Sequence, residues 1–205
     1  MTESSLQFNA KGRYHALEIS EHWDLNWIRS LRALVVGAGA LGNEVTKNLA
    51  MMGVKEIVIV DHDRVEVSNL TRSVFFREED KGRAKVDVLA QRLRDLNPDV
   101  HVQPLLGKYS EVVGLGRLRH MDLIFSCLDN RTARSELNEA CQKVGMAWVN
   151  GGMENLLGEV SVYLPDEGPC YECLMTADVR KAMNQARSCQ KVALDAIAAG
   201  RAPTT

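Results

Sequence analysis

The sequence has few cysteines, no excess of charge of one sign and no long apolar run. Its five cysteines, an odd number among 205 residues, argue against a secreted scaffold held by disulfides. The net charge of −2 gives no support for general binding to nucleic acid or to anionic membranes. No apolar run reaches the roughly 18 residues that a membrane span needs, and residues 1–15 lack the apolar segment of a signal peptide. We therefore expect a cytoplasmic protein with no membrane partner.

Segments with the periodicity of strands alternate with segments of helical periodicity. We predict strands at residues 32–36, 56–61, 100–104, 122–127, 146–151 and 159–164. We predict helices at residues 22–30, 41–52, 81–96, 112–120 and 132–144. Strands separated by helices of this length form right-handed crossovers in a parallel sheet. The predicted fold class is therefore α/β: a Rossmann-like, doubly wound, largely parallel sheet with an antiparallel extension at its C-terminal side.

A glycine-rich loop follows the first predicted strand. Gly37, Gly39 and Gly42 form the pattern G-x-G-x-x-G, in which glycine permits a tight turn, close approach of the backbone to phosphate and close helix packing. The free N–H groups at the start of the next helix, from Ala40 onwards, bind phosphate. Asp61 ends the second strand about twenty residues further on, where a carboxylate meets a ribose hydroxyl. The pattern predicts a nucleotide site; the alternative is a turn that needs glycine only for packing.

The loop after the second strand carries more charge than a dinucleotide site needs. Asp63, Asn69 and Arg72 lie in this loop, and Lys85 follows. Ligands bind at the carboxyl edge of such sheets, and two cations there neutralise the β- and γ-phosphates as pyrophosphate leaves. The charge favours a triphosphate over a dinucleotide as the ligand, although a solvated surface position is the commoner fate of a Lys or Arg.

Asp129 ends the fourth predicted strand and is followed by Asn130. A carboxylate at that edge of the sheet suits a Mg²⁺ ion that bridges phosphates. Asp and Asn are also both good helix N-caps. The sequence therefore leaves open whether Asp129 binds Mg²⁺ or caps the next helix.

The cysteines offer only part of a metal site. Cys170 and Cys173 form a single C-x-x-C, which is half of a tetrahedral zinc site. Cys189 is a candidate third ligand, but no fourth cysteine follows it, so we do not expect this chain alone to bind Zn²⁺. Cys127 and Cys141 fall on a predicted strand and helix, where free cysteine is commonly buried.

Five motifs occur in the order found in one enzyme superfamily: RALVVGAGALGNEVTKNLAMMGV, IVDHDRVEVSNLTR, GRAKVD, CLDN and PCYEC. Over about residues 13–205 the chain closely resembles the ubiquitin-activating-enzyme-like (E1-like) superfamily, with its bacterial adenylyltransferases of the ThiF and MoeB type. The resemblance implies that the C-terminal glycine carboxylate of a ubiquitin-like or sulfur-carrier protein attacks the α-phosphate of ATP. The products are an acyl-adenylate and pyrophosphate, and the enzyme is a homodimer.

The resemblance also implies roles for individual residues. The residues that would bind ATP and Mg²⁺ are Gly37, Gly39, Ala40, Gly42, Asp61, Asp63, Asn69, Arg72, Lys85, Asp129 and Asn130. Among them Arg72 and Lys85 hold the triphosphate, and Asp129 serves Mg²⁺. Cys189 would take the activated carboxyl as a thioester or form an acyl persulfide. It lies between the cations Arg187 and Lys191, which favour the thiolate form. The alternative is that Cys189 is an exposed cysteine with no function.

The chain departs from the family pattern in two places. The family often has Arg-Tyr-x-Arg near its start, whose second arginine reaches the ATP of the other subunit; here Ala16 stands at that position, with Arg13 nearby. The family also has a second C-x-x-C pair, a long helix and further strands, whereas this chain ends at Thr205. We interpret it as a fragment, or as ending in a crossover loop.

We divide the chain into three parts: an N-terminal arm with an amphipathic helix (residues 1–30), an ATP-binding adenylation domain (31–165) and a cysteine-containing crossover segment (166–205). Adenylation of a carrier protein is the leading hypothesis. The first alternative is a non-catalytic subunit that supports an active partner, which Ala16 and the missing cysteine pair favour. The second is a dinucleotide-dependent oxidoreductase, against which we find no hydride-handling His or Tyr–Lys constellation after the glycine loop.

Overall fold

The computed structural model describes residues 12–20, 22–154 and 157–178. Its strands are β1 (Arg32–Val36), β2 (Glu56–Asp61), β3 (His101–Leu106), β4 (Leu123–Ser126), β5 (Trp148–Glu154) and β6 (Leu157–Tyr163). Its α-helices are α1 (His15–Glu18), α2 (Leu25–Ser30), α3 (Ala40–Met52), α4 (Lys85–Leu96), α5 (Tyr109–Val112), α6 (Leu115–Leu118) and α7 (Arg131–Val144). Two 3₁₀ turns, Val67–Asn69 and Glu78–Asp80, lie in the long connection between β2 and α4.

The strands form one sheet in the order β3-β2-β1-β4-β5-β6. Neighbouring strands from β3 to β5 are parallel, whereas β5 and β6 are antiparallel. The chain runs outward from β1 through β2 to β3 and then crosses to β4 on the other side of β1, so the strand order reverses at the carboxyl end of β1. Ligands bind at such a reversal in open α/β sheets. The predicted Rossmann-like, largely parallel sheet with an antiparallel C-terminal extension is confirmed.

The central strands are almost entirely apolar because helices cover both faces of the sheet. On one face Val35 and Ile59 pack in a cluster that includes Leu89 of α4. On the other face Leu34 packs in a second cluster that includes Leu137 of α7. Alternate residues of the same strand thus enter opposite cores.

Several predicted boundaries differ from the structure. Helix α4 begins at Lys85, and the prediction that it begins at residue 81 is wrong. The single helix predicted at residues 112–120 is two short helices, α5 and α6, because Val113 has an extended backbone conformation. Helix α2 begins at Leu25, three residues later than predicted.

An ion-pair network around one buried carboxylate anchors the long connection between β2 and α4. Asp80 is 0% exposed, and its carboxylate accepts hydrogen bonds from Arg83 Nη1 at 2.7 Å and from the backbone N–H of Arg77 at 3.0 Å. Arg92 of α4 lies 3.4 Å from the same carboxylate. Polar groups hold this connection against α4, so the connection that carries Arg72 has a defined path.

Within the described residues, none of the helices has both the length and the apolar character that crossing a membrane requires. The three-part division of the chain stays a prediction. Residues 170–173 do pack against α7, since the Tyr171 backbone N–H donates to Asn138 Oδ1 at 3.3 Å and Tyr171 makes an edge contact with Trp148.

Candidate functional site

The glycine loop joins β1 to α3 at the carboxyl edge of the sheet. Gly37 has φ +105°, and a Cβ at this position would lie 2.4 Å from the carbonyl oxygen of Cys127. A Cβ on Gly42 would lie 1.9 Å from the carbonyl oxygen of Gly37. By contrast, apart from Gly39 and its two chain neighbours, no heavy atom of the described residues lies within 4 Å of a Cβ built on Gly39. Two of the glycines are therefore required by packing, and the third leaves the backbone open to a ligand.

Helix α3 starts with backbone donors at this open side. Its N-cap residue is Gly39, and no side chain of the described residues caps the helix. The backbone N–H of Asn43 donates to Gly39 O at 2.9 Å, and the N–H groups before it, from Ala40 onwards, belong to the first turn, where a helix offers no internal acceptor. Such groups bind phosphate through hydrogen bonds and the helix dipole, as the sequence predicts for Ala40.

A chain of hydrogen bonds connects the glycine loop to Lys85. Asp61 accepts from the backbone N–H of Ala38 at 2.6 Å through Oδ2 and from that of Asp63 at 2.8 Å through Oδ1. The Asp63 carboxylate then accepts from Lys85 Nζ at 2.7 Å. Asp61 is only partly buried, and a carboxylate has about four acceptor sites. It thus retains acceptors for ribose hydroxyls while it holds the loop.

Lys85 is a buried cation with donors to spare. Its side chain is 10% exposed and pairs with the half-exposed Asp63. The hydrogen bond from Lys85 lowers the pKa of Asp63, against the opposing effect of burial, so the carboxylate is charged at neutral pH. An ammonium group has three donors, and Asp63 accepts one of them. The other two suit a phosphate ligand.

Arg72 and Asn69 lie on the turn that follows Asp63. Arg72 is exposed, and its Nη1 donates to Ser68 O at 2.6 Å. Asn69 is buried, and its Oδ1 accepts from the backbone N–H of Glu66 at 3.1 Å. The side chain of Asn69 therefore closes its own 3₁₀ turn. It shapes the turn that presents Arg72, and a direct contact of Asn69 with nucleotide stays a prediction.

The structure separates the roles of Asp129 and Asn130. Asn130 caps α7, because its Oδ1 accepts from the backbone N–H of Ala133 at 2.8 Å. Asp129 is exposed, and its Oδ1 accepts from Asn130 Nδ2 at 3.3 Å. Their loop adjoins the glycine loop, since Cys127 N donates to Val36 O at 2.7 Å. The N-cap of α7, which the sequence leaves unassigned between Asp129 and Asn130, is therefore Asn130. The Asp129 carboxylate is an oxygen ligand of the kind that Mg²⁺ prefers and would fit such an ion.

Cys127 lies beside the glycine loop but is not a reactive thiol. Burial raises its pKa to about 12, so the thiol is protonated at neutral pH and acts as a small apolar group. Its backbone carbonyl packs against Gly37. The role of Cys127 is therefore to fill the space behind the loop.

Cys170 and Cys173 come together, as the C-x-x-C pattern predicts. Their Sγ atoms are 3.5 Å apart and both thiols are free. Two sulfurs on one tetrahedral zinc ion lie about 3.8 Å apart, so the spacing fits half of such a site. Burial alone would raise the pKa of Cys170, but hydrogen bonds from Cys173 and Asn138 hold it below its ordinary value. Cys189 lies outside the described residues.

One further potential ligand group and one polar contact were not predicted from the sequence. Ligand atoms of Asp61, His62 and Asp63 lie within 4.8 Å of one another, but both carboxylates already hold the loop and Lys85. Asn43, a poor helix former just inside α3, donates to the glycine loop through Nδ2. The sequence gave no specific signal for this contact, because Asn43 is one of several polar residues in α3.

One family model and several known proteins are similar to this chain. A family model described as the ThiF family matches residues 13–200. The SAMP-activating enzyme E1 of Haloferax volcanii is 39% identical over 145 residues, which are 71% of this chain and 53% of that protein. The adenylyltransferase and sulfurtransferase MOCS3 of Sus scrofa is 38% identical over 141 residues, which are 69% of this chain and 31% of that protein.

A solved structure of E. coli MccB with ATP has a TM-score of 0.66 at 26% sequence identity, over 80% of this chain and 50% of that chain. This chain thus spans about half the length of that protein and of the archaeal relative, and less of MOCS3. The glycine loop, the Asp61–Asp63–Lys85 chain and the family match over most of the sequence lead to one conclusion: the chain belongs to the ThiF family.

Proposed function

We propose that this protein uses ATP and Mg²⁺ to adenylate the C-terminal glycine carboxylate of a ubiquitin-like or sulfur-carrier protein. The observation that carries the proposal is the hydrogen-bonded chain from the glycine loop through Asp61 and Asp63 to Lys85. The loop and Asp61 would suffice for a dinucleotide. A buried cation added to that set supports a triphosphate. The reaction is supported by the similar proteins, one of which is an activating enzyme and another an adenylyltransferase.

In this reaction a carboxylate oxygen of the carrier attacks the α-phosphorus of ATP, and the bond from the α-phosphorus to the bridging oxygen breaks. Pyrophosphate leaves with the electron pair, and the acyl-adenylate remains. The loop amides bind the phosphates, Asp61 orients the ribose, and Lys85 and Arg72 offset the charge that develops on the leaving group. Asp129 would hold Mg²⁺, which supplies further positive charge to the phosphates when bound.

The first experiment is ATP–pyrophosphate exchange with Mg²⁺ and a panel of small β-grasp carriers that end in Gly-Gly. We expect exchange only in the presence of one of these carriers. That carrier would then be identified as the partner. ATP binding without exchange for any carrier would contradict adenylation by this chain, and would support the non-catalytic subunit instead. Tight NAD binding with no ATP binding would support the oxidoreductase, for which the family match gives no support.

One observation favours the non-catalytic alternative. Ala16 stands where the family has a second arginine, and the neighbouring Arg13 donates through Nη1 to Leu96 O at 2.9 Å. Leu96 ends α4, at the edge of the sheet opposite the glycine loop. This hydrogen bond holds Arg13 against its own chain, so Arg13 does not take the place of the missing second arginine.

On the family resemblance and its flanking cations, Cys189 is proposed to attack the acyl-adenylate through its thiolate, so that AMP leaves and a thioester forms. An acyl persulfide would form in the same way if Cys189 had first received a sulfur atom from a persulfide donor. A covalent carrier adduct that is sensitive to reducing agent and lost in Cys189→Ala would support this step. An adduct of the same yield in Cys189→Ala would contradict it. Zinc binding by Cys170 and Cys173 is not proposed for this chain alone.

Replacing Asp129 with alanine should lower pyrophosphate exchange by about 100-fold at low Mg²⁺, because the ion loses a charged oxygen ligand. Higher Mg²⁺ should restore part of the activity by mass action. The measurement is the exchange rate as a function of Mg²⁺ concentration. Asp95→Ala, which removes an exposed carboxylate near the end of α4, is the matched control. An unchanged Mg²⁺ dependence in Asp129→Ala would contradict the assignment.

We further propose a homodimer that uses the apolar face of the N-terminal segment. Trp27 is 60% exposed and Trp23 is 42% exposed, while Ile28 of the same helix is buried. Exposed tryptophans of this kind are typical of interaction surfaces. We expect Trp27→Ser to raise the dimer dissociation constant about tenfold or more in sedimentation equilibrium. An identical constant for Trp27→Ser and wild type would contradict the use of this face.

A further inference from the structure

The side chain of Asn43 makes hydrogen bonds to both loops that border the candidate site. Asn43 is 0% exposed. Its Nδ2 donates to Ala38 O at 3.0 Å and to Gly39 O at 2.9 Å, and its Oδ1 accepts from the backbone N–H of Phe75 at 3.2 Å. An asparagine amide has two N–H donors and one acceptor oxygen. Both donors and the oxygen are therefore engaged, as a buried amide requires.

On one side, Asn43 holds the glycine loop. The carbonyls of Ala38 and Gly39 accept from its amide, and the N–H of Ala38 donates to the ribose carboxylate, Asp61, at 2.6 Å. The same peptide segment thus bonds to Asn43 through its carbonyls and to Asp61 through its amide. Moving Asn43 would move the loop relative to Asp61.

On the other side, Asn43 holds the turn that presents Arg72. The backbone N–H of Arg72 donates to Asn69 O at 3.1 Å, which ties the start of this turn. Phe75 lies three residues after Arg72 and packs against the core. Its backbone N–H donates to Asn43, and this bond fixes the end of the turn. The exposed guanidinium of Arg72 therefore depends on Asn43 for its place relative to the phosphate loop.

We propose that Asn43 is a positioning residue that sets the distance between the phosphate-binding loop and Arg72. The proposal rests on the proposed function, because that function supplies the triphosphate that Arg72 meets. Asn43 does not touch the substrate, since both of its donors and its oxygen are engaged within the protein. Its effect on the reaction passes through the glycine loop and through Phe75.

Asparagine suits this position and its closest replacements do not. A carboxylate at position 43 would face the carbonyls of Ala38 and Gly39 with no hydrogen to donate, and would bury a charge. A leucine of similar shape would remove the hydrogen bonds of Ala38 O and of the Phe75 N–H, and would leave Gly39 O only its bond from the backbone N–H of residue 43. Asn43→Ala removes the link with the least steric disturbance, and Asn43→Ser, which keeps a small donor and acceptor, is a second variant if alanine prevents folding.

The test is a double-mutant cycle between Asn43→Ala and Arg72→Ala, measured by pyrophosphate exchange. We expect Asn43→Ala to lower kcat about tenfold or more in the wild-type background and by much less in the Arg72→Ala background. The part of its effect that passes through Phe75 to Arg72 is already lost there, and only the part that passes through the glycine loop remains. If the losses of kcat in the two single variants multiply fully in the double variant, the proposal is overturned, because a purely structural role of Asn43 would produce that result.

Asn97 provides a matched control. It is 1% exposed, and its Nδ2 donates to Ala50 O at 2.8 Å and to Tyr14 Oη at 2.6 Å. Asn97→Ala removes two buried hydrogen bonds at the opposite edge of the sheet. We expect it to lower stability much as Asn43→Ala does, but to leave kcat unchanged and to combine multiplicatively with Arg72→Ala. A kcat loss in Asn97→Ala equal to that in Asn43→Ala would overturn the proposal.

A second measurement does not depend on catalysis. In Asn43→Ala the backbone N–H of Phe75 loses its acceptor, so its hydrogen exchange should accelerate about tenfold or more, while amides of β1 keep their wild-type rates. Binding of a non-hydrolysable ATP analogue should weaken in the same variant. If wild type shows no pyrophosphate exchange with any carrier, the proposed function fails, and these two measurements still decide the role of Asn43. Unchanged exchange at Phe75 would overturn it.

Discussion

Replacing Lys85 with alanine should reduce ATP–pyrophosphate exchange by about 100-fold or more. Lys85 is a buried cation at the end of the hydrogen-bonded chain that starts at the glycine loop. Removing one preorganised charge from a site of this kind typically costs about 10²–10³ in rate. Alanine also leaves Asp63 as an uncompensated carboxylate near the phosphates, which repels them. The loss should therefore appear both in kcat and in the affinity for ATP.

The pair between Lys143 and Glu139 provides the control for Lys85. Its N–O distance is also 2.7 Å, but both side chains are more than half exposed on α7. Lys143→Ala should leave exchange within about twofold of wild type, because an exposed pair of this type contributes little. The measurement is kcat and KM for ATP in both variants. If Lys85→Ala behaved like Lys143→Ala, Lys85 would have no role in binding the triphosphate.

Replacing Gly42 with alanine should disrupt both folding stability and ATP binding. The new Cβ would lie 1.9 Å from the carbonyl oxygen of Gly37, so the loop and the first turn of α3 must move apart. Overpacking of this kind costs about 1–3 kcal/mol, which outweighs the roughly 1 kcal/mol that alanine gains over glycine inside a helix. We therefore expect a lower free energy of unfolding in urea and loss of measurable ATP binding.

Alanine variants of two other glycines distinguish a loss of folding stability from a loss of ATP binding. A Cβ on Gly39 or on Gly116 would meet no heavy atom of the described residues within 4 Å beyond the chain neighbours and, for Gly116, the backbone of its own helix. Gly39→Ala should fold with wild-type stability yet bind ATP more weakly, because its methyl group projects into the open side of the phosphate loop. Gly116→Ala, in the short helix α6, should leave ATP binding unchanged and should not lower the free energy of unfolding, because alanine is favoured over glycine inside a helix. Wild-type ATP affinity in Gly42→Ala or in Gly39→Ala would contradict the assignment of this loop to phosphate.

Much of the fold could be predicted from local sequence. The boundaries of β1 and β2 match the predicted ranges, because continuous runs of β-branched and other apolar residues mark strands that are buried on both faces. The predicted order of strands and helices also implied the parallel crossovers that the sheet contains. The glycine loop and Asp61 were predicted for the same reason: their spacing reflects one local unit, a strand, a turn and a helix.

The start of α4 shows why other boundaries could not be predicted. Residues 81–84 read as the first turn of a helix, but Arg64 pairs with Ala84 as an isolated antiparallel bridge. Around it, Val65 N donates to Arg83 O at 2.9 Å, and Gly82 N donates to Val65 O at 2.9 Å. These bonds join positions far apart in the chain. They hold the segment before Lys85 extended, against its local helical preference.

The sequence by itself determined the type of each central element, the family and the residue types available for binding a nucleotide. The tertiary structure decided which of those residues act together. Lys85 with Asp63, and Asn43 with Phe75, are pairs between separate segments that no local spacing connects. The physical reason is that buried polar groups must find partners wherever the packed chain brings them, and those partners are set by the whole fold.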